Sequence, residues 1–226
     1  MSARSAPDGP SLAEDGCEHF PLFASAEVER FPVPSLLSQG RRPGMRLTSH
    51  SDIAGWLKPI SNRLLAFGAK DFRPVRAVLF DKSANTNWAL GWHQDRTINV
   101  EEQRPVEGFG PWSRKAGVLH VEPPFEIIER MLTLRIHFDD TPKANAPLVV
   151  ACGSHRLGKI ASGHANVVAE ACPAIECVAS RGDVWLYATS ILHSSKRASR
   201  PDRRRVLQVD FSADKLPGGL KWLGLA

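Results

Sequence analysis

At 226 residues, 42% of them hydrophobic, the chain is sized for one domain with a substantial core. Its formal net charge of +5 favours acidic partners such as carboxylates, phosphates or nucleic acid. No apolar stretch reaches the length of a membrane span, and Met1 to Gly16 lacks the apolar centre of a secretory signal, so spanning and exported classes are set aside. Residues 1–18 read as a flexible tail, and residues 19–226 as a single domain. Pro21, Pro32, Pro34 and Pro43 make 19–48 an extended arm. Ser51 is a plausible N-cap for a helix over 52–67, with Gly68 past its end and Pro59 as a possible kink. Ile53, Trp56, Leu57, Ile60, Leu64 and Phe67 fall at helical spacing, which predicts a helix packed on the outside of a sheet.

From Val75 onward the pattern changes to short apolar runs. Strands are expected over 75–80, 89–94, 131–138, 148–151, 175–179, 183–187, 191–194 and 206–211. Eight short strands, with 17 Gly and 17 Pro to turn between them, predict an all-β core with flanking helices, built as a jelly roll over about 74–212. Residues 96–130 form a long insertion rich in Gly, Pro and charge, and loops of that length are functional or disordered. Gly108, Gly110 and Gly117 supply hinges. With Trp112, Arg114, Lys115 and His120 the segment reads as a lid over whatever lies beside Asp95. Cys17, Cys152, Cys172 and Cys177 show no zinc spacing and are expected as reduced thiols of a cytoplasmic protein.

The chemistry-bearing residues are His93-Gln94-Asp95 and, 98 residues beyond Asp95, His193. On a strand, residues i and i+2 share a face, so His93 and Asp95 can hold a metal from one side and His193 can complete the set. Two His and one carboxylate leave positions of Fe(II) open for an organic co-substrate and O₂. Two further pairs compete, His120-Val121-Glu122 and His137-Phe138-Asp139. The first runs into Pro123-Pro124, and the second ends in the turn-like Asp139-Asp140-Thr141-Pro142. Ser195 shares the face of His193. From Lys196 to Arg205, six of ten residues are Lys or Arg, and a guanidinium there can grip a carboxylate bidentately. The strand pattern leaves the choice open: Arg203 and Arg205 share a face with Leu207, Val209 and Phe211, whereas Arg204 shares one with Val206, Gln208 and Asp210. Arg135 and His137 alternate with Leu134, Ile136 and Phe138 and could line the same cavity or an outer face.

Gly91-Trp92-His93-Gln94-Asp95 resembles the metal-binding strand of the phytanoyl-CoA dioxygenase family. Leu132 to Pro142 is similar to that family's next long strand and acidic turn. Residues 146–156, ending Gly153-Ser154-His155-Arg156, resemble its "N-G-P-L … P-G-S-H-R" signature, with Cys152 standing for Pro and Ala146 for Gly. Gly182-Asp183 followed by His193-Ser194-Ser195 resembles its "G-D … H-x-S" segment. The resemblance runs in order over roughly 74–212. It implies a double-stranded β-helix of cupin type that binds Fe(II) through His93, Asp95 and His193. It also implies 2-oxoglutarate as co-substrate, with its C5 carboxylate on Arg204, eleven residues past the distal His, and with Ser195 beside it. O₂ is then the oxidant, succinate and CO₂ are products, and a small organic substrate is hydroxylated. Asp95 argues against a halogenase, which would carry a small residue there. Arg135, His137 and Trp112 are the candidate substrate contacts, and an anionic or polar small molecule is the expected substrate. Two rival classes are a metal-binding cupin of other chemistry (an isomerase or a co-substrate-independent dioxygenase) and a non-catalytic module that binds nucleic acid through 196–205. The Arg204 spacing and Ser195 speak against the first, and the lack of interleaved aromatic residues against the second.

Overall fold

The computed structural model describes residues 9–31, 44–48, 51–65 and 71–225. The first eight residues of the expected tail, Pro32, Pro34 and Pro43 of the arm, and Phe67 and Gly68 at the expected helix end lie outside them. Two antiparallel sheets face each other, as a jelly roll requires. The larger has six strands in the order β1 (Cys17–Phe20), β11 (Val184–Ala188), β8 (Leu132–His137), β13 (Arg204–Ser212), β3 (Arg73–Lys82) and β2 (Gly44–Arg46). The smaller has four, β10 (Ala174–Glu176), β9 (Leu148–Ala151), β12 (His193–Ser195) and β4 (Leu90–His93). No helix among the described residues is long and apolar enough to cross a membrane.

The large sheet is buried on both faces. Its outer face carries Ala77, Leu79, Leu134, Ile136, Leu207, Val209 and Phe211. These pack with Val28 of helix α2 (Ser25–Arg30) and with Ile53, Leu57, Ile60 and Leu64 of helix α3 (Ser51–Leu65), which holds Pro59 within its length. The helical spacing of the apolar residues thus found the partner it predicted. Because period-2 alternation sends neighbours to opposite faces, Arg204, Val206 and Gln208 point the other way, into a cavity between the sheets. Arg203 is exposed and pairs with Asp81, and Arg205 pairs with Asp139, both outside the cavity wall, while Arg204 turns inward.

All eight expected strands are present, β9 with the expected bounds and the others with shifted ends. Two expectations need correction. Residues 11–18 of the expected tail are structured: Ser11 caps the short helix α1 (Leu12–Asp15) through its hydroxyl, and Cys17 to Phe20 then adds a strand beside β11, in register Cys17 with Tyr187. Cys17 and Phe20 are buried there, an apolar pair too short to stand out against the polar residues around it. Residues 96–130 are not an unstructured loop either. They form a third sheet, β5 (Ile98–Asn99), β7 (Val118–Val121) and β6 (Trp112–Lys115), followed by helix α4 (Phe125–Glu129). Ile98, Phe109, Leu119, Val121 and Ile128 build a second core there with Val75 of β3 and with Leu216 and Leu220. The apolar residues are spread thinly through the segment, so its sequence shows no run long enough to predict a strand.

Candidate metal centre

β12 lies between β9 and β4, and its pairing with β4 sets His193 directly opposite His93. The two imidazole rings stand 4.3 Å apart. Asp95 follows two residues after His93, and one donor atom from each of His93, Asp95 and His193 lies within 4.8 Å of the others. Each ring is already oriented. His93 Nδ1 is 2.8 Å from Gly91 O, and His193 Nδ1 is 3.0 Å from Ile191 O. A carbonyl can only accept, so both Nδ1 atoms carry the proton and both Nε2 atoms present a lone pair. Burial first, and then the neighbouring His93, push His193 down to about 4, which keeps it neutral as a ligand must be. Burial alone would raise the Asp95 carboxyl. Arg76, then His193 and His93, outweigh that and hold it at about 2, so it is a carboxylate at any working pH.

Asp95 is held from behind. Its Oδ2 accepts from Arg76 Nη2 at 3.1 Å and from Gln208 Nε2 at 3.2 Å, which leaves Oδ1 for a metal. The Arg76 Nε donates to the fully buried Asp210, which also accepts from Thr133 Oγ1 at 2.9 Å. Gln208 Oε1 accepts from Arg135 Nη1 at 2.9 Å, and that fixes which way its amide points. Partners of this kind set ligand orientation in metal sites. Sequence reading missed both Arg76 and Gln208 in this role. The signal was the alternation Arg76, Val78, Phe80, Lys82 along β3, an inward face with a cation at each end.

Lys82 is the other residue missed. It sits opposite Arg204 in the β13–β3 register, and both are buried. Its Nζ donates to Trp88 O at 2.7 Å and Ser195 Oγ at 3.0 Å and lies 4.5 Å above the Trp88 ring. Arg204 donates to Ala146 O. Neither cation has a carboxylate partner among the described residues. Burial, then Arg204 and Arg135, push the Lys82 ammonium down to about 7. Burial, then Arg135, lower Arg204 to about 9. Like charges set directly opposite are destabilising, so this buried pair is arranged for an anion. Arg135, also buried and on the cavity wall, has an Nε with no partner.

The cavity has a volume of about 350 Å³. It gathers His93, Asp95, His193, Ser195, Arg204 and Arg135 of the expected site. It leaves out two expected substrate contacts. His137 is buried beside Thr141, 3.1 Å from its hydroxyl and off the cavity wall, because β8 ends there in the turn after Phe138. Trp112 packs against the core of the third sheet. The rival metal pairs are occupied elsewhere: His120 contacts Arg46, Glu122 pairs with Lys159 and Asp139 with Arg205.

Facing antiparallel sheets that carry a His-x-Asp pair and a distal His define a jelly-roll protein of the two-histidine, one-carboxylate class. The model of the phytanoyl-CoA dioxygenase (PhyH) family matches residues 39–206, and the chain belongs to that family of Fe(II)- and 2-oxoglutarate-dependent oxygenases. No curated protein matches it significantly. Three crystal structures illustrate the shared fold. The non-heme α-ketoglutarate-dependent carbocyclase SnoK from nogalamycin biosynthesis is 16% identical with a TM-score of 0.64, over 93% of this chain and 87% of that one. The epimerase SnoN of the same biosynthesis is 15% identical with a TM-score of 0.60, over 92% and 87%. HygX from Streptomyces hygroscopicus, with nickel and 2-oxoglutarate bound, is 15% identical with a TM-score of 0.58, over 89% and 84%.

The residues present fit the cofactors of the family. Two imidazole nitrogens and one carboxylate oxygen suit Fe(II), and the buried Lys82 and Arg204, without a carboxylate partner among the described residues, suit one end of a dicarboxylate.

Proposed function

We propose that the protein hydroxylates a small anionic or polar organic molecule, and that it works in the cytoplasm, where its four free thiols stay reduced. Bound Fe(II) and 2-oxoglutarate supply the oxidising power, with O₂ consumed and succinate and CO₂ released. His93, Asp95 and His193 hold the metal. Arg204, Lys82 and Ser195 hold the C5 carboxylate of the co-substrate, with Lys82 bridging to the Ser195 hydroxyl. Arg76 and Gln208 keep Asp95 aimed with one oxygen free. Arg135 is a candidate substrate contact. The third sheet is the cover of the cavity, to which it contributes Lys115 and His120. Its core, which also takes in Val75 of β3, braces it against the large sheet, where it shields the cavity from bulk water.

The observation that carries this reading is the pairing of two buried cations, opposed across strands and with no carboxylate partner among the described residues, in the cavity that holds the three metal donors. A screen of small acids and polar metabolites, scored by succinate release and by product mass, tests it. A product one oxygen heavier, formed in step with succinate, supports hydroxylation. A product of unchanged mass or two hydrogens lighter replaces hydroxylation with epimerisation, ring closure or desaturation. Absence of 2-oxoglutarate binding to the iron-loaded protein would remove the co-substrate altogether.

A further inference from the structure

The cavity wall carries Arg46, Arg76, Lys82, Lys115, Arg135 and Arg204, and Asp95 is its one carboxylate among the described residues. Arg76 is neutralised by Asp95 and Asp210, and Lys82 with Arg204 belongs to the co-substrate end. Arg135 is buried in the interior, where it donates to Gln208 Oε1 and lies over the Phe80 ring. Arg46 and Lys115 remain. Arg46 ends β2 and pairs in register with Val78, four residues along β3 from Lys82. At roughly 3.3 Å per residue it stands about 13 Å along the sheet from the co-substrate cations, so an anion held there does not compensate it.

Arg46 is braced. His120 Nδ1 lies 2.9 Å from Val118 O and carries the proton, so His120 Nε2 accepts from Arg46 Nε at 3.3 Å. His120 is buried, and burial, with Arg46, Arg76 and Lys115 nearby, pushes it down to about 4, so it stays a neutral acceptor. The brace takes the Nε–H and leaves both terminal nitrogens of the guanidinium without a partner among the described residues. Lys115, on β6 one register pair beyond Arg114 and Leu119, is exposed and likewise has no carboxylate partner among them. Lys82 and Arg204 are sealed in, whereas Arg46 is half-buried and Lys115 open to solvent, so this second group of cations marks the outer end of the cavity.

We propose that Arg46 and Lys115, with His120 as the brace of Arg46, form a second anion site that binds an oxyanion of the substrate, a carboxylate or a phosphate, at the open end of the cavity. The site rests on the reading of Lys82 and Arg204 as the co-substrate end. It orients the substrate by its charged group and leaves the remainder of the molecule to reach toward the metal.

The test is equilibrium titration of acetate and of methyl phosphate into the full-length protein loaded with Ni(II) and saturated with 2-oxoglutarate, at constant ionic strength. At least one probe should bind saturably, and the tighter one names the oxyanion. Arg46→Gln and Lys115→Gln should each weaken that probe by roughly tenfold or more, as expected for loss of a charged hydrogen bond. Both variants should bind 2-oxoglutarate as the wild type does, which also shows that they are folded. The proposal is overturned if neither probe binds, if the probe displaces 2-oxoglutarate, or if its affinity is unchanged in both variants. Failure of the wild type to bind 2-oxoglutarate is a different result: it removes the co-substrate reading and this inference with it.

Discussion

Lys82 offers a perturbation whose size can be worked out. Its ammonium is free to ionise near 10.5 in the unfolded chain and falls to about 7 in the folded protein without ligand. A lysine with a lowered folded value binds fewer protons folded than unfolded between those limits. Stability therefore rises with pH from about 7 to 10.5 on this residue's account. From pH 7 to 9 the gain is about 2–3 kcal/mol, at 1.36 kcal/mol for each pH unit. Lys82→Met removes it. The two hydrogen bonds to Trp88 O and Ser195 Oγ are lost as well, but that offset does not depend on pH, so the slope isolates the buried charge. Urea denaturation of both proteins at pH 6, 7, 8 and 9 measures the difference. Saturating 2-oxoglutarate places an anion beside Lys82 and raises its folded value. The wild-type slope should then flatten, and between pH 7 and 8, below the range where Arg204 titrates, co-substrate affinity should fall in the wild type and hold steady in the variant. Parallel stability curves for wild type and variant, or a slope indifferent to 2-oxoglutarate, would refute the placement of the co-substrate between Lys82 and Arg204.

The metal ligands and their support make further predictions. His93→Ala, Asp95→Ala and His193→Ala should each lose stoichiometric Fe(II) while retaining the far-ultraviolet dichroism of the fold, and His120→Ala should keep the iron; the opposite pattern in metal analysis would mean the wrong ligand set. Arg76→Leu strands the buried Asp210 carboxylate and should cost about 3–5 kcal/mol of stability in denaturant. It should also weaken the metal on the order of 10–100-fold, and wild-type values for both would show that Arg76 does not position Asp95. Arg204→Lys keeps the charge but loses the planar fork, so 2-oxoglutarate affinity by calorimetry should drop roughly tenfold to a hundredfold. Arg203→Lys and Arg205→Lys, whose side chains pair outside the cavity, should match the wild type; a loss there instead would reverse the assignment.

The sequence made the metal set legible because strand geometry turns His93 and Asp95 to one side, and because family motifs anchor both His93 and His193. Arg204 became legible once the apolar alternation of Leu207, Val209 and Phe211 found α3 to pack against. What stayed hidden has a common cause. Arg76, Lys82, Gln208 and Arg46 act through partners tens of residues away, and only the register of β13, β3 and β2 brings them together. His137 was misplaced because alternation tells which face a residue takes but not how far along the sheet the cavity extends. The third sheet was missed because its core draws on Leu216 and Leu220 from the far end of the chain, so the segment alone is too thinly apolar to announce strands.

The strand at Cys17–Phe20 bears on how the molecule behaves in a crowded solution. It occupies one end of the six-stranded sheet, hydrogen-bonded along β11 from Val184 to Tyr187. Without it, β11 would offer an open row of backbone donors and acceptors flanked by Val184, Trp185, Leu186 and Tyr187, a ready template for strand addition by another chain. Trimming the polar-looking first twenty residues would leave every metal donor in place and yet favour self-association. The expected sign of that truncation is a larger, concentration-dependent species in size-exclusion chromatography, with metal binding retained.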